Sequence, residues 1–319
     1  MRPIAEAYKD FPILHKEHNG HRVIYLDSGA TAQIPQSVID RVVEHMTQRN
    51  GNPHRGSHIL AIEASEDYEN ARDRVVEFIN AREREEVIFT RNSTESMNLI
   101  AHSYGLHNVK KGDKIVITVA EHHANLVTWQ YVAEQTGATL EYMYLDEHGH
   151  LKDGEINKID EKTKIVAFAH VSNVLGMEFP VKELTEKAHS VGAIVVLDGA
   201  QSTPHKKIDV QALDCDFFVF SGHKMCASQG IGVLYGKRDL LETMPPFLLG
   251  GDMIEYVKEQ TATFNELPYK FEAGTPNADG AVSLHAAIDY LESFGMDAIE
   301  AYEEELVAYI LPKIVELPH

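Results

Sequence analysis

Short, almost uninterrupted apolar runs rich in β-branched residues recur along the chain, separated by longer amphipathic stretches. Runs such as KIVITV, KIVAFAH and AIVVLD have too few polar positions for strands with one face in water. Strands buried on both faces have this composition, which is typical of a parallel sheet covered by helices. The predicted strands span residues 87–90, 114–119, 139–145, 164–170, 193–197, 217–221 and 232–235.

The stretches between these runs have helical spacing or composition, most clearly at residues 61–80, 94–106, 124–135 and 181–190. Strand and helix in alternation predict an α/β fold: a mostly parallel sheet of about seven strands, flanked by helices and joined by right-handed crossovers. Residues 278–316 are predicted to form two helices broken near Gly295. Ligands bind such sheets at the carboxyl ends of the strands, so functional residues are expected in the segments that follow each strand.

The charge balance narrows the class of partner. The 319 residues include 29 Lys and Arg against 49 Asp and Glu, a net charge of −20. Phosphate backbones and anionic lipids repel such a chain, so no nucleic acid and no membrane are expected as partners. No apolar run reaches the length of a membrane span, and the first twenty residues lack the apolar stretch of a secretory signal. The only cysteines are Cys215 and Cys226, which predicts a cytoplasmic protein without a disulfide framework. No HExxH or CxxC spacing indicates a metal site.

Polar residues follow the first two predicted strands. Ser93 and Thr94 open a predicted helix, where backbone N–H groups and hydroxyls can bind an anion or form an ordinary helix cap. His122 and His123 follow the next strand. Such a pair can be surface residues, metal ligands or an imidazole stacked on a flat cofactor.

Three later strands end in an amide, a carboxylate and an amine. Asn173 precedes a glycine turn and is a weak signal by itself. Asp198 ends a buried VVL run, where a carboxylate requires a cation unless it only caps a turn. Lys224 follows FFVFSGH. Burial there would lower its pKa and make the amine nucleophilic, although a lysine can also extend its ammonium to solvent.

One cofactor accounts for all of these groups. Pyridoxal 5′-phosphate (PLP) requires a phosphate site, a carboxylate at its ring nitrogen, a flat cover over the ring and a Schiff-base lysine. The hydroxyls of Ser93 and Thr94, with Asp198, His122 and Lys224, supply these parts. A carboxylate at the ring nitrogen would keep it protonated, so that the ring can accept electrons from a substrate carbanion.

Six strings carry a family resemblance: HHANLVTWQ, HVSNVLG, VLDGAQS, LDCDFFVFSGHK, GIGVLYG and KFEAGTPN. In this order they resemble the Suf-type, or group II, cysteine desulfurases. These belong to the class V aminotransferase group and have fold type I of the PLP-dependent transferases. The similarity extends from about Phe11 to the end of the chain.

The resemblance implies a role for each matching residue near the ring. Lys224 forms the Schiff base and later moves a proton, while His122 stacks on the ring and acts as an acid or base. Asp198 pairs with the pyridinium nitrogen and Gln201 with the phenolate oxygen. Asn173 helps to hold the ring and the substrate carboxylate.

The resemblance also implies a phosphate site and a site shared between subunits. The implied phosphate ligands are Ser93, Thr94, Ser221 and His223. Thr275, in AGTPN, corresponds to a phosphate contact lent by the second subunit of a homodimer. His54 and Arg55, in NPHRGSH, correspond to a loop near the substrate at that shared site.

Members of this family convert L-cysteine to L-alanine. The sulfur passes to an enzyme cysteine as a persulfide and then to a scaffold protein of the Suf system for iron–sulfur cluster assembly. The implied domain division is an N-terminal segment of the small domain at residues 1–20, a PLP-binding large domain at 21–294, and the start of a C-terminal small domain at 295–319.

The chain departs from the family pattern in two places. The sequence MCASQG follows Lys224, where the family commonly has a glycine-proline pair before the final glycine. The family's catalytic cysteine, in a stretch of the type RxGxxCA, and its substrate-carboxylate arginine have no counterpart here. We therefore expect that the rest of the small domain is missing and that this chain alone turns over slowly. Cys215 is expected in the core, and Cys226 near the cofactor but not as the nucleophile.

Two other functions remain open at this stage. A change of substrate would give a selenocysteine lyase acting on L-selenocysteine, or another class V lyase or epimerase. The chain can also be a non-catalytic PLP-binding fragment.

Overall fold

A seven-stranded sheet forms the centre of the computed structural model, which describes residues 3–317. Its strands are β1 Val87–Thr90, β2 Lys114–Thr118, β3 Thr139–Met143, β4 Thr163–Ala169, β5 Ile194–Asp198, β6 Phe217–Ser221 and β7 Gly232–Gly236. They lie in the order β1-β7-β6-β5-β4-β2-β3. Neighbouring strands are parallel except that β7 runs antiparallel to both β1 and β6. The predicted mostly parallel α/β fold is therefore confirmed.

Helices cover both faces of this sheet. They are α1 Gln36–Glu44, α2 Ile59–Phe78, α3 Ser93–Ile100, α4 His123–Thr136, α5 Val181–Ser190, α6 Val210–Leu213, α7 Arg238–Thr243, α8 Ala278–Phe294 and α9 Met296–Val315. Helix α3 continues through a π-helical turn, Ala101–Gly105, into Leu106–Asn108. The predicted break between the last two helices falls at Gly295, which has a φ of +90°. Helix α1 was not predicted from the sequence.

Shorter elements complete the described chain. A two-residue hairpin joins Glu17–His18 to His21–Arg22, and a second hairpin pairs β8 Ile254–Val257 with β9 Ala262–Phe264. A π-helical turn, His45–Arg49, extends α1. The 3-10 turns are Ile4–Asp10, Pro12–His15, Arg84–Glu86, Glu155–Lys158, Gly222–Lys224 and Tyr269–Phe271.

The core has one layer on each face of the sheet, and alternation along the strands fills both. In β5, Val195 and Leu197 pack into one layer, while Ile194 and Val196 pack into the other. This explains why the strands have almost no polar positions: each successive side chain enters an apolar layer.

The N-terminal segment packs against the last two helices. The Phe11 and Tyr290 rings meet edge to face with centroids 5.7 Å apart, and the Tyr290 hydroxyl donates to Asp10 at 3.0 Å. Between residues 3 and 317, no helix is both long and apolar enough to cross a membrane.

The strand directions bring several chain segments to one edge of the sheet. Strands β1 to β6 all end at this edge, because β1 and β6 each run antiparallel to β7. Strand β7 begins there, with Gly232 opposite both Thr90 and Ser221. The segments that follow the strands therefore converge on one place.

Gly199, directly after β5, is a close-packing position. A Cβ atom built there would lie 2.0 Å from Cζ of Phe218, which is fully buried. This glycine thus accommodates a core aromatic ring. Glycine is required because Phe218 has no free space into which it could move.

We predict that Gly199→Ala lowers the free energy of unfolding by about 1–3 kcal/mol, because Phe218 must leave its rotamer. Chemical denaturation of the purified protein measures this change. Gly250→Ala is the matched control, since its Cβ would meet only Ala273 at 3.8 Å. Equal denaturation midpoints for the two variants would show that contact with Phe218 does not determine the stability lost in Gly199→Ala.

Candidate active site

A cavity of about 620 Å³ opens where the strand ends converge. This volume suits a small organic ligand. It brings together nine residues predicted from the sequence: Ser93, Thr94, His122, Asn173, Asp198, Gln201, Ser221, His223 and Lys224.

Asp198 is the last residue of the central strand, not the first residue after it as the sequence suggested. Its side chain is buried, and Oδ1 accepts a hydrogen bond from the Ala200 backbone N–H at 3.0 Å. Burial raises the pKa of this carboxyl, while the Ala200 N–H, Lys224 and His122 act in the opposite direction. A buried carboxylate facing a cavity with one hydrogen bond is suited to a cationic ligand atom.

Lys224 ends the 3-10 turn that follows β6, and its side chain lines the same cavity. Burial lowers the pKa of its ammonium, against the opposing effect of Asp198. A lowered pKa increases the fraction of neutral amine, which is the nucleophilic form. Lys224 is half-buried where it lines the cavity.

An anion site lies at the N-terminus of α3. The Ser93 backbone N–H donates to the Ser221 hydroxyl at 2.8 Å, which joins the helix to the end of β6. Asn92, not a hydroxyl residue, caps the helix by accepting from the Glu95 N–H at 3.0 Å. Ser93 and Thr94 are thus not needed as caps. Both residues line the cavity at the positive end of the helix dipole, where the Ser93 and Ser221 hydroxyls are hydrogen-bonded to each other.

His223 borders this anion site. Its Nδ1 is hydrogen-bonded to the Thr31 hydroxyl at 3.0 Å. Burial and the neighbouring Lys224 lower the pKa of the His223 imidazole.

His122 caps helix α4. Its Nδ1 accepts from the Ala124 backbone N–H at 3.1 Å, which leaves the proton of the neutral ring on Nε2. The ring is exposed to the cavity. Burial, Lys224 and His123 lower its pKa, while Asp198 raises it. The site therefore holds a neutral imidazole in a fixed tautomer.

The two amides of the site differ in how firmly they are held. Gln201 donates from Nε2 to the Gly29 carbonyl at 2.8 Å, which leaves its second N–H available for a ligand. Asn173 is exposed and lines the cavity.

One wall of the cavity was missed by sequence reasoning. Leu26, Asp27, Gly29 and Ala30 line it from a segment without regular secondary structure. The segment is attached to the lysine turn, because the Ala32 N–H donates to the His223 carbonyl at 2.9 Å. The available signal was the run of small and polar residues in DSGAT, which has neither strand nor helix periodicity.

Three predicted residues do not reach this cavity within the same chain. Thr275 lines a separate cavity of about 650 Å³. His54 lies 3.2 Å from a Glu69 carboxylate oxygen, and Arg55 forms an ion pair with Asp252. The structure of one chain therefore does not bring Thr275, His54 and Arg55 to Lys224.

The two cysteines have environments that disfavour thiolate formation. Cys215 is fully buried in the core, as predicted, and burial raises its pKa. Cys226 lies behind Lys224 in a smaller, largely apolar cavity of about 270 Å³. Burial raises the pKa of Cys226 to about 12. Neither thiol is activated as a nucleophile at neutral pH.

The residues of the main cavity fit PLP. A carboxylate without an ion-pair partner among residues 3–317 is available for the ring nitrogen, and an amine of lowered pKa is available for the aldehyde. The N-terminus of α3 with its hydroxyls is available for the phosphate.

Comparisons with known proteins agree with this geometry. The "Probable cysteine desulfurase" of Halalkalibacterium halodurans is 53% identical over 98% of this chain and 77% of its own length. The crystal structure of an Escherichia coli cysteine desulfurase superposes with a TM-score of 0.90 at 37% identity, covering 100% of this chain and 79% of that one. The cysteine desulfurase from Thermococcus onnurineus gives a TM-score of 0.93 at 40% identity, covering 99% and 77%.

The match to a family extends over nearly the whole chain. Residues 24–319 match the family described as aminotransferase class V. This range includes every cavity residue predicted from the sequence. The chain therefore belongs to the class V aminotransferase family.

Proposed function

We propose that this protein is a PLP-dependent cysteine desulfurase that converts L-cysteine to L-alanine and passes the sulfur to a thiol. Several relatives and solved structures that resemble it over nearly its whole length are named cysteine desulfurase or probable cysteine desulfurase. The observation that carries the proposal is the placement of Asp198 and Lys224 in one cavity, where neither forms an ion pair within the described chain.

The residues of the chain divide the work around the cofactor. When bound, PLP supplies an electron sink for the amino acid that is attached to it. Asp198 would hold a proton on the ring nitrogen, which sustains that sink. Lys224 would hold the cofactor through its neutral amine and would also be placed to move a proton.

His122 and the two amides orient the reactants. His122 presents the Nε2 proton to the cavity because Nδ1 is held by the Ala124 N–H. Gln201 is anchored by Gly29, and its remaining N–H would be available to the ring oxygen. Asn173, on the open side, serves the substrate carboxylate.

A homodimer with shared sites accounts for the residues that lie away from the cavity. Thr275, His54 and Arg55 are too far from Lys224 in the same chain to line its cavity. In this proposal they reach the cavity of a second copy, where Thr275 contacts the phosphate. We further propose that residues 1–20 and 295–319 belong to a small domain next to the large domain at 21–294.

The sulfur acceptor completes the reaction. L-cysteine and a thiol give L-alanine and a persulfide, so the acceptor must present a thiolate to the substrate sulfur. The raised pKa of Cys226 and the full burial of Cys215 argue against either thiol in this role. We propose that the persulfide serves iron–sulfur cluster assembly through a scaffold of the Suf type in the cytoplasm.

We expect borohydride reduction of the PLP-loaded protein to leave a covalent adduct on Lys224. Mass spectrometry of proteolytic peptides maps the modified residue. Lys224→Ala should lose the adduct, whereas Lys207→Ala, which changes a nearby exposed lysine, should retain it. An adduct on another lysine in the unmutated protein would contradict the assignment of Lys224 as the PLP-binding lysine.

We predict that Cys226→Ser changes the rate of alanine formation from L-cysteine by less than about twofold, because the thiol is not the nucleophile. Alanine and sulfide are measured together in the presence of a reducing thiol. Brisk turnover that disappears in Cys226→Ser would make Cys226 the nucleophile and contradict the proposal.

A further inference from the structure

Glu121 is a carboxylate beside the site that the proposed chemistry does not use. It lies in the turn between β2 and α4, directly before His122. One carboxylate oxygen accepts from the Thr118 hydroxyl, and the other accepts from Asn125 Nδ2 at 2.7 Å. The Ala169 backbone N–H, at the end of β4, also bonds to this carboxylate. Glu121 thus joins two strand ends to the first turn of α4.

The hydrogen-bond directions around Glu121 are fixed by further partners. The Trp129 indole N–H can only donate, and it donates to Asn125 Oδ1 at 2.7 Å. The Asn125 amide must therefore turn its N–H toward Glu121. The Thr118 hydroxyl accepts from the Ala120 N–H at 3.2 Å, so its own proton points at Glu121. Donors surround the carboxyl group, and this arrangement suits the ionised form.

Burial and a like charge oppose this ionisation. Burial and the charge of Asp198 raise the pKa of Glu121, and the bonds from Thr118, Asn125 and Ala169 lower it; together they leave its pKa at about 7. The charged or titratable groups around Glu121 and Asp198 are Asp198 itself from β5, Lys224 from the turn after β6, His122 from the turn that holds Glu121, and His123 from the start of α4. The groups that hydrogen-bond to Glu121 from β2, β4 and α4 are the uncharged donors Thr118, Ala169 and Asn125.

We propose that Glu121 is a positioning residue that acts through Asp198. Ala169, which bonds to Glu121, pairs with Asp198 across β4 and β5. Glu121 therefore places a second negative charge near the carboxylate that would receive the cofactor's ring nitrogen. A cation at Asp198 offsets the charge that opposes ionisation of Glu121. Binding of the ring nitrogen in its protonated form and loss of the Glu121 proton therefore favour each other. This inference rests on PLP binding at Asp198 and not on the fate of the sulfur.

The sign of the coupling follows from the charges. Ligand binding favours ionised Glu121, so binding releases a proton where unbound Glu121 is still protonated. The affinity for the ligand should rise with pH across the neutral range. Replacing Glu121 with Gln keeps the shape and lets the Thr118 hydroxyl turn round to accept, but it removes the charge and this part of the pH dependence.

Calorimetric titration with pyridoxine 5′-phosphate tests the coupling without forming a bond to Lys224, because this compound has no aldehyde. From pH 6 to pH 8, the unmutated protein should gain affinity relative to Glu121→Gln by about fivefold or more. Glu141→Gln is the matched control, since Glu141 pairs with Lys114 at 2.8 Å on the edge strand β3. It should follow the unmutated protein. Identical pH dependence in Glu121→Gln and the unmutated protein would overturn the inference.

A second measurement needs neither ligand nor a Glu121 variant. Carbon-13 NMR of labelled glutamate side chains in the cofactor-free protein reports the pKa of Glu121. Asp198→Asn should lower that pKa, because it removes the like charge, and an unchanged pKa would overturn the coupling. Failure of the unmutated protein to bind pyridoxine 5′-phosphate would instead refute the proposed cofactor, so the two failures are distinguishable.

Discussion

The site depends on one electrostatic arrangement: a buried carboxylate at the end of the central strand faces an amine of lowered pKa across a cavity. Asp198 has apolar neighbours along β5 on both faces of the sheet, and it accepts one backbone hydrogen bond. Such a carboxylate is stable as an anion only with a cation nearby. Lys224 supplies part of that charge, and a protonated ring nitrogen would supply the rest.

The sheet makes this arrangement possible. Parallel strands place Asp198 and the turn that carries Lys224 at one edge, and the antiparallel β7 leaves room there for the N-terminus of α3. Gly199 allows Phe218 to pack directly beneath the site. Rigid packing under the carboxylate keeps its position independent of the ligand, which is the requirement for a preorganised site.

Sequence reasoning was most successful where periodicity and burial agree. Seven apolar runs gave seven strands with ends within two residues, and polar groups at strand ends predicted the cavity residues. It missed the wall formed by Asp27 and Gly29, because an irregular segment has no period and its position depends on long-range hydrogen bonds. Glu121 was not predicted from the sequence for a related reason. The hydrogen bonds that connect it to Thr118, Asn125 and Trp129 form only after the strand and helix have assembled.

The proposed role of Asp198 is to keep the ring nitrogen of the cofactor protonated. Nitrogen-15 NMR of the protein loaded with PLP labelled at the ring nitrogen measures that protonation state directly. We expect the nitrogen-15 chemical shift of a pyridinium in the unmutated protein, and a chemical shift closer to that of neutral pyridine in Asp198→Asn. A neutral ring nitrogen in the unmutated protein, or a pyridinium shift that survives in Asp198→Asn, would contradict it.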